Sequence, residues 1–248
     1  MSKISDALDK ADRERRSREE AGGPEPQRTE LGPSLSQNTP GQSWRELGMM
    51  RNLIESQLPS KKSRSLLVTS AALGEGVSSV TANFGTMLAD DAAVNVLVVD
   101  ANPGSPVQHE FFGLDNSVGF VELARGDLKF EDVVKSTPRK NLCVIPSGTA
   151  TGGIFQLVGT ERVTSLITSL QSRFHYLLFD APPVLTHPET AVLGSHVDGV
   201  LLVVRALNTR RETATRARDT LTKSGCNVIG VVLNRYKYSI PEFIYRRV

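Results

Sequence analysis

The residues best suited to handle a phosphate lie between Leu66 and Val80. There a short apolar segment, Leu66-Leu67-Val68-Thr69-Ser70, feeds a turn holding Gly74 and Gly76, and small residues then open a helix. Strand, glycine turn and helix start form the frame in which backbone N–H groups and a helix N-terminus face an anion. The candidate phosphate-binding residues are Gly74, Glu75, Gly76, Val77, Ser78 and Ser79, with the Ser78 hydroxyl also a candidate Mg²⁺ ligand. Two carboxylates sit at the ends of other apolar runs. Asp100 closes Val96-Leu97-Val98-Val99-Asp100, and Asp180 closes Leu177-Leu178-Phe179-Asp180. A carboxylate so placed can hold Mg²⁺ directly or through water, or orient an attacking group. The alternative for each is a cap on the turn that follows, since Pro103 comes after Asp100 and Pro182-Pro183 after Asp180.

The loop departs from the usual Gly-x4-Gly-Lys-Ser/Thr pattern. Gly76 and Ser78 hold their places, but Ala71 stands at the first glycine and Val77 where the lysine belongs, and no lysine occurs from Ser65 to Ser79. A charged donor neutralises phosphate charge in ground and transition states, and a hydrogen bond to a charged group contributes about 1.5–3 kcal/mol. Its loss slows phosphoryl transfer by orders of magnitude. Val77 supplies only a backbone N–H.

The elements that must position these groups follow from periodicity. Near-continuous apolar runs at Leu66–Ser70, Val96–Asp100, Leu142–Pro146, Tyr176–Asp180, Gly199–Val204 and Val228–Leu233 read as strands buried on both faces of a parallel sheet. Helical patterns over Trp44–Leu58, Val77–Asp90, Gly119–Arg125, Glu161–Ser172 and Arg211–Gly225 lie around and between them. Alternation of this kind predicts an α/β fold, a doubly wound and mostly parallel sheet with right-handed crossovers. Ligands then bind beyond the C-terminal strand ends, where Ser70, Asp100 and Asp180 fall.

Outside that domain the pattern changes. Residues 1–20 read as an amphipathic helix with Ile4, Leu8 and Ala11 on one stripe, either a solvated tail or a docking helix. Residues 21–42, rich in Gly, Pro, Ser, Gln and Glu, read as a flexible linker, so the folded domain is expected over 43–248. At its end Tyr236, Tyr238 and Tyr245 cluster among Ile240, Pro241, Phe243 and Ile244, which suits either a docked tail or a phosphorylated one. The two cysteines, Cys143 and Cys226, sit in apolar contexts and read as reduced core residues. A net charge of +2 gives no reason to expect nucleic acid as a partner, and no apolar run reaches bilayer-spanning length. The first residues carry no secretory leader pattern, and the four histidines show no metal-ligand spacing.

Taken together, Thr69-Ser70 with Gly74-Glu75-Gly76, Val98-Val99-Asp100-Ala101-Asn102 and Phe179-Asp180-Ala181-Pro182-Pro183-Val184-Leu185 resemble three motifs of the bacterial tyrosine kinases of capsule and exopolysaccharide synthesis. Asp198–Arg205 and Gly230–Arg235 extend the likeness, which covers about Trp44 to Arg235. The resemblance implies a P-loop ATPase fold related to the Par and Min proteins. It also implies ATP or ADP with Mg²⁺ as ligands, Asp100 and Asp180 as residual catalytic and metal positions, and a tyrosine tail as phosphorylation site. The partner it implies is a membrane-embedded polysaccharide co-polymerase, with homo-oligomer formation possible. Such a protein is expected in the cytoplasm, held at the inner face of the plasma membrane through that partner.

Against the family pattern, Asn102 replaces the second acid and Gly104 and Ser105 replace an arginine pair. Arg45, Gly48 and Arg51 align with a Glu-x-x-Arg-x-x-Arg ring-assembly motif, and the usual Asn-Pro after Pro146-Ser147-Gly148 is missing. The expectation is therefore a pseudokinase-like protein acting by binding, with nucleotide and Mg²⁺ binding weakened or absent. The alternatives are an active tyrosine autokinase phosphorylating its tail and a Par/Min-type positioning ATPase. A dinucleotide site fits poorly, because Gly74-x-Gly76 lacks the third glycine.

Overall fold

The computed structural model describes residues 41–58, 61–149 and 160–235. Within them the strands are β1 (Arg64–Ser70), β2 (Val96–Asp100), β3 (Lys135–Ser136), β4 (Leu142–Ile145), β5 (Tyr176–Asp180), β6 (Gly199–Arg205) and β7 (Val228–Asn234). The helices are α1 (Gly41–Gln57), α2 (Val77–Leu88), α3 (Gln108–Phe112), α4 (Phe120–Arg125), α5 (Phe130–Val133), α6 (Thr160–Gln171), α7 (Glu189–Gly194) and α8 (Arg211–Lys223). The long elements match the periodicity reading to within a few residues. Helix α1 starts at Gly41, ahead of the expected helix start at Trp44. The elements without a sequence signal are the short ones, α3, α5, β3 and α7. The expected N-terminal helix, most of the linker and the tyrosine tail lie outside the described residues.

The strands form one sheet in the order β3-β4-β2-β5-β1-β6-β7. Neighbours pair in parallel except for the edge pair of β3 and β4, which is antiparallel. Alternation of side chains along each strand divides the core into two apolar layers. Leu66, Val68, Val96, Val98, Leu178, Leu201 and Val203 face α1 and α2 through Met50, Ile54, Val80, Phe84 and Leu88. Leu67, Leu97, Val99, Leu177, Phe179, Val200 and Leu202 face α4, α6, α7 and α8 through Val121, Ile167, Leu193, Ala217 and Leu221. The result is a three-layer α/β/α domain in which every central strand is covered on both faces.

This topology decides where chemistry can occur. Strand β1 is central, and the chain builds first toward β2 and β4, then returns through β5 to β6 and β7. The crevice therefore opens at the C-terminal ends of β2, β5 and β1. Register places Asp100 opposite Asp180 across β2 and β5, and Asp180 opposite Val68 on β1. At the other end of the sheet, Asp198 closes a polar network that stitches β6 to β1. Its Oδ2 accepts from Ser65 N and Ser65 Oγ, both at 2.8 Å, and from Gln171 Nε2 at 2.9 Å, while Lys61 pairs with Oδ1 at 2.8 Å.

Candidate nucleotide and metal site

The turn after β1 is shaped by two left-handed glycines, Gly74 at φ 77° and Gly76 at φ 88°. At Gly76 the requirement is also steric, since a Cβ there would lie 2.2 Å from Asn234 Nδ2. That amide donates to the Glu75 carbonyl at 2.8 Å, so β7 braces the turn from beneath. The Glu75 carboxylate does not face solvent. It is 2% exposed, and its Oε2 accepts from Ala71 N at 2.8 Å and Ala72 N at 3.0 Å, while Thr209 Oγ1 donates to Oε1. A loop with no charged donor for a ligand thus holds its shape through an internal carboxylate.

Gly76 caps α2, whose first N–H groups, at Val77, Ser78 and Ser79, have no intrahelical acceptor. They form the anion-binding end of the frame. The side chain of Val77 belongs to the apolar layer beneath, with Val80, Phe84, Leu66 and Ile54, and is 9% exposed. The lysine position is therefore filled by a side chain that packs into the core.

Asp100 and Asp180 sit side by side, both buried, but do different work. Asp100 Oδ1 accepts from Asn102 N at 3.1 Å, and Oδ2 accepts from Val107 N at 2.9 Å and Gln108 N at 3.0 Å. Both oxygens are engaged by the backbone that leads into α3, which is the capping alternative. Burial nonetheless raises its carboxyl above the ordinary range against these bonds. Asp180 accepts at Oδ2 from Gln108 Nε2 at 2.7 Å, while Oδ1 is buried without a hydrogen-bond partner. Burial, and then the neighbouring Asp100 charge, push its carboxyl up to about 7, although Gln108 and Ser78 pull against the rise. The strand end carrying Asp180 is fixed from below. Ala181 N donates to Val68 O at 3.0 Å, Val184 N to Ser70 O at 3.0 Å, and Thr69 Oγ1 and Thr190 Oγ1 both donate to Pro182 O.

The structure places Ser78, Asp100 and Asp180 near one another beside the glycine turn, with Gln108 bonded to all three residues. It adds Gln108, Asn234 and Thr209, which carried no spacing signal because each arrives from a distant segment. Oxygen ligands suit a hard divalent cation. Ser78 Oγ and the unpartnered Asp180 Oδ1 fit one, and Gln108 Oε1, also buried and unpartnered, lies in the same cluster. The open N–H groups of α2 fit a phosphate, without the side-chain cation that usually assists them. Among the described residues there is no cluster of three or more His, Cys, Asp or Glu side chains able to hold a metal. No helix among them is long and apolar enough to cross a membrane.

Other expected features lie elsewhere. Arg45, Gly48 and Arg51 line a surface concavity of about 680 Å³ on α1, together with Met49, Asn52, Glu55 and Met87. There Arg51 pairs with Glu55 at 2.9 Å and Asp91 at 3.6 Å. Cys226 is buried and Cys143 partly so, and both are free thiols.

Fold and site together define a domain of the P-loop NTPase type. The chain is a homologue of the bacterial tyrosine kinases. It is 28% identical over 190 residues to tyrosine-protein kinase YwqD of Bacillus subtilis, covering 77% of this chain and 80% of that protein. It is 26% identical over 188 residues to tyrosine-protein kinase CpsD of Streptococcus agalactiae, covering 75% and 82%. A 30% match over 170 residues to tyrosine-protein kinase wzc of Salmonella typhi covers 68% of this chain and 23% of that much longer protein. Among solved structures, the chimerical protein CapA2B2 superposes with a TM-score of 0.74 at 26% identity, covering 82% of this chain and 88% of that one. The cell division ATPase MinD of Pyrococcus furiosus gives 0.61 at 26%, covering 73% and 77%. No protein-family model matches the chain.

Proposed function

We propose that this chain is a tyrosine-kinase-like P-loop protein of capsule or exopolysaccharide synthesis that works by binding and no longer transfers phosphate efficiently. Its partner on this reading is a membrane-embedded polysaccharide co-polymerase, which holds it at the inner face of the plasma membrane. Nucleotide serves there as a structural ligand or switch, taken by the N–H groups from Gly74 to Ser79, with Mg²⁺ at Ser78 and Asp180. The observation that carries the reading is Val77. At the position from which a lysine would reach the phosphates, its side chain is packed into the core beside Val80 and Phe84.

The test is ADP and ATP binding by calorimetry in Mg²⁺, on the native protein and on Val77→Lys. Restoring one charge-assisted hydrogen bond is expected to tighten binding roughly ten- to hundredfold. Equal affinity in the two proteins, or measurable turnover by the native protein, refutes the loss of transfer. A second reading is an active autokinase that borrows its positive charge. It draws on Arg205 and Arg235, at the C-terminal ends of β6 and β7, the latter in a left-handed conformation at φ 57° next to the Asn234 that braces the loop. Phosphate on Tyr236, Tyr238 or Tyr245 in protein purified with its partner would favour it.

A further inference from the structure

The glycine turn is gripped at one residue from two sides, and both grips come from far along the chain. At the main chain, the Glu75 carbonyl accepts from Asn234 Nδ2 at 2.8 Å, across 159 residues of sequence. At the side chain, the Glu75 carboxylate accepts from Thr209 Oγ1, across 134 residues, and from the N–H groups of Ala71 at 2.8 Å and Ala72 at 3.0 Å. Thr209 Oγ1 in turn accepts from Arg205 N at 2.9 Å, so its single proton is the one given to Glu75. Thr209 lies in the turn between β6 and α8, where its own N–H donates to Arg205 O at 3.0 Å and Leu207 takes a left-handed φ of 60°. The hydroxyl is therefore held in place by the end of β6.

These bonds decide which way the N–H groups of the turn face. A peptide unit is planar and trans, so its C=O and N–H point in opposite directions. With the Glu75 carbonyl turned onto Asn234, the Gly76 N–H points away from β7. Ala72 O accepts from Ser70 Oγ at 2.9 Å, which turns the Leu73 N–H the other way. The Ala71 and Ala72 N–H groups are turned inward and engaged by Glu75, which leaves the groups that follow for an anion. No apolar packing holds the tip of the turn, since Ala72, Leu73 and Gly74 are exposed while Glu75 beneath them is buried. The shape of the turn rests on the hydrogen bonds that meet at Glu75.

We propose that Thr209 is a positioning residue of the phosphate-binding turn, acting through the Glu75 carboxylate. By holding Glu75 it keeps the Ala71 and Ala72 N–H groups inward and leaves the Gly76 N–H and those at the start of α2 aimed at a phosphate-bearing anion. The inference rests on the nucleotide site of the function proposed above and extends it to the end of β6. A turn with no lysine depends on it the more, because misaligned N–H groups are not offset there by a side-chain charge.

The experiment compares the full native chain with Thr209→Val, which keeps the branched shape without the proton, and with Thr209→Ser, which keeps the hydroxyl. ADP binding is measured by calorimetry in EDTA, and exchange of the Ala71 and Ala72 amide hydrogens by nuclear magnetic resonance. In Thr209→Val, loss of one hydrogen bond to a charged group is expected to weaken ADP binding roughly tenfold and to speed exchange at both amides by about as much. Exchange within β1 and β5 should stay as in the native protein, which shows that the fold is intact. Thr209→Ser is expected to match the native protein in both measurements. Native behaviour of Thr209→Val overturns the proposal, and so does a Thr209→Ser that behaves like the valine variant, since the hydroxyl would not then be the cause. Weaker ADP binding with native exchange at Ala71 and Ala72 also overturns it, because the effect would not pass through Glu75. If Thr209→Val fails to fold, Thr209→Ala carries the comparison. Absence of any ADP binding by the native protein would count against the nucleotide reading, and amide exchange would then decide by itself whether Thr209 holds the turn.

Discussion

Replacing Asp180 with Asn separates the electrostatic burden of the site from its packing. The carboxyl lies at the end of β5 with one oxygen on Gln108 and the other unpartnered, and burial together with Asp100 raises it to about 7. An ordinary aspartate titrates near 3.8. Between these values the native state keeps a proton that the unfolded chain has released. Where the native state binds more protons, stability falls as pH rises. The contribution is therefore complete below about pH 4, is lost progressively up to about 7, and is level beyond. The interval spans roughly three pH units, and at about 1.4 kcal/mol per unit the native protein loses on the order of 4 kcal/mol across it. Asp180→Asn keeps the shape and an acceptor for Gln108 but cannot ionise. The assay is urea unfolding in steps from pH 4.5 to 8. The variant's advantage over native should be small at the acid end and grow to a few kcal/mol at pH 8, with Asp100 relaxing in the same direction. Taking the difference cancels groups elsewhere. A difference that is flat with pH, or that shrinks as pH rises, refutes the assignment of a proton to this carboxyl.

Other substitutions test the frame around the site. Gly76→Ala forces a side chain into a left-handed turn and against Asn234, and is expected to lower stability by about 1–3 kcal/mol in chemical denaturation. Val77→Lys removes apolar contact from the layer beneath α2 while its stem recovers some of it, so the midpoint of thermal unfolding should drop by an amount equivalent to about 1–2 kcal/mol without ligand. Asp198→Ala strands the donors of Ser65 and Gln171 and should be destabilising by about 2–3 kcal/mol at pH 7. Burial pushes the Asp198 carboxyl up, but the Lys61 and Ser65 contacts outweigh it and hold it below the ordinary range. Its stabilisation is thus present above pH 4 and fades as pH falls through the lowered value. The penalty of Asp198→Ala should shrink at pH 3, and a penalty unchanged there would show that packing alone is lost.

Much of this protein is written in its local sequence. Strands buried on both faces must be apolar at every position, so Val96–Asp100, Tyr176–Asp180 and Gly199–Arg205 announce themselves, and their spacing with helical stretches leaves a doubly wound sheet. The glycine turn and the strand-end carboxylates follow from the same logic, because such sheets expose their C-terminal ends. The missing lysine at Val77 is a fact of sequence alone. What the sequence could not supply is the use made of these groups. That Asp100 spends its oxygens on backbone, that Glu75 folds inward to hold the turn, and that Val77 points into the core depend on segments far along the chain. Gln108 shows it best. It is separated from Ser78 by 30 residues and from Asp180 by 72, and nothing in its neighbours marks it. Hydrogen-bond partners are chosen by proximity in space, and only the packed sheet brings these strand ends and the α2 start within reach of one amide.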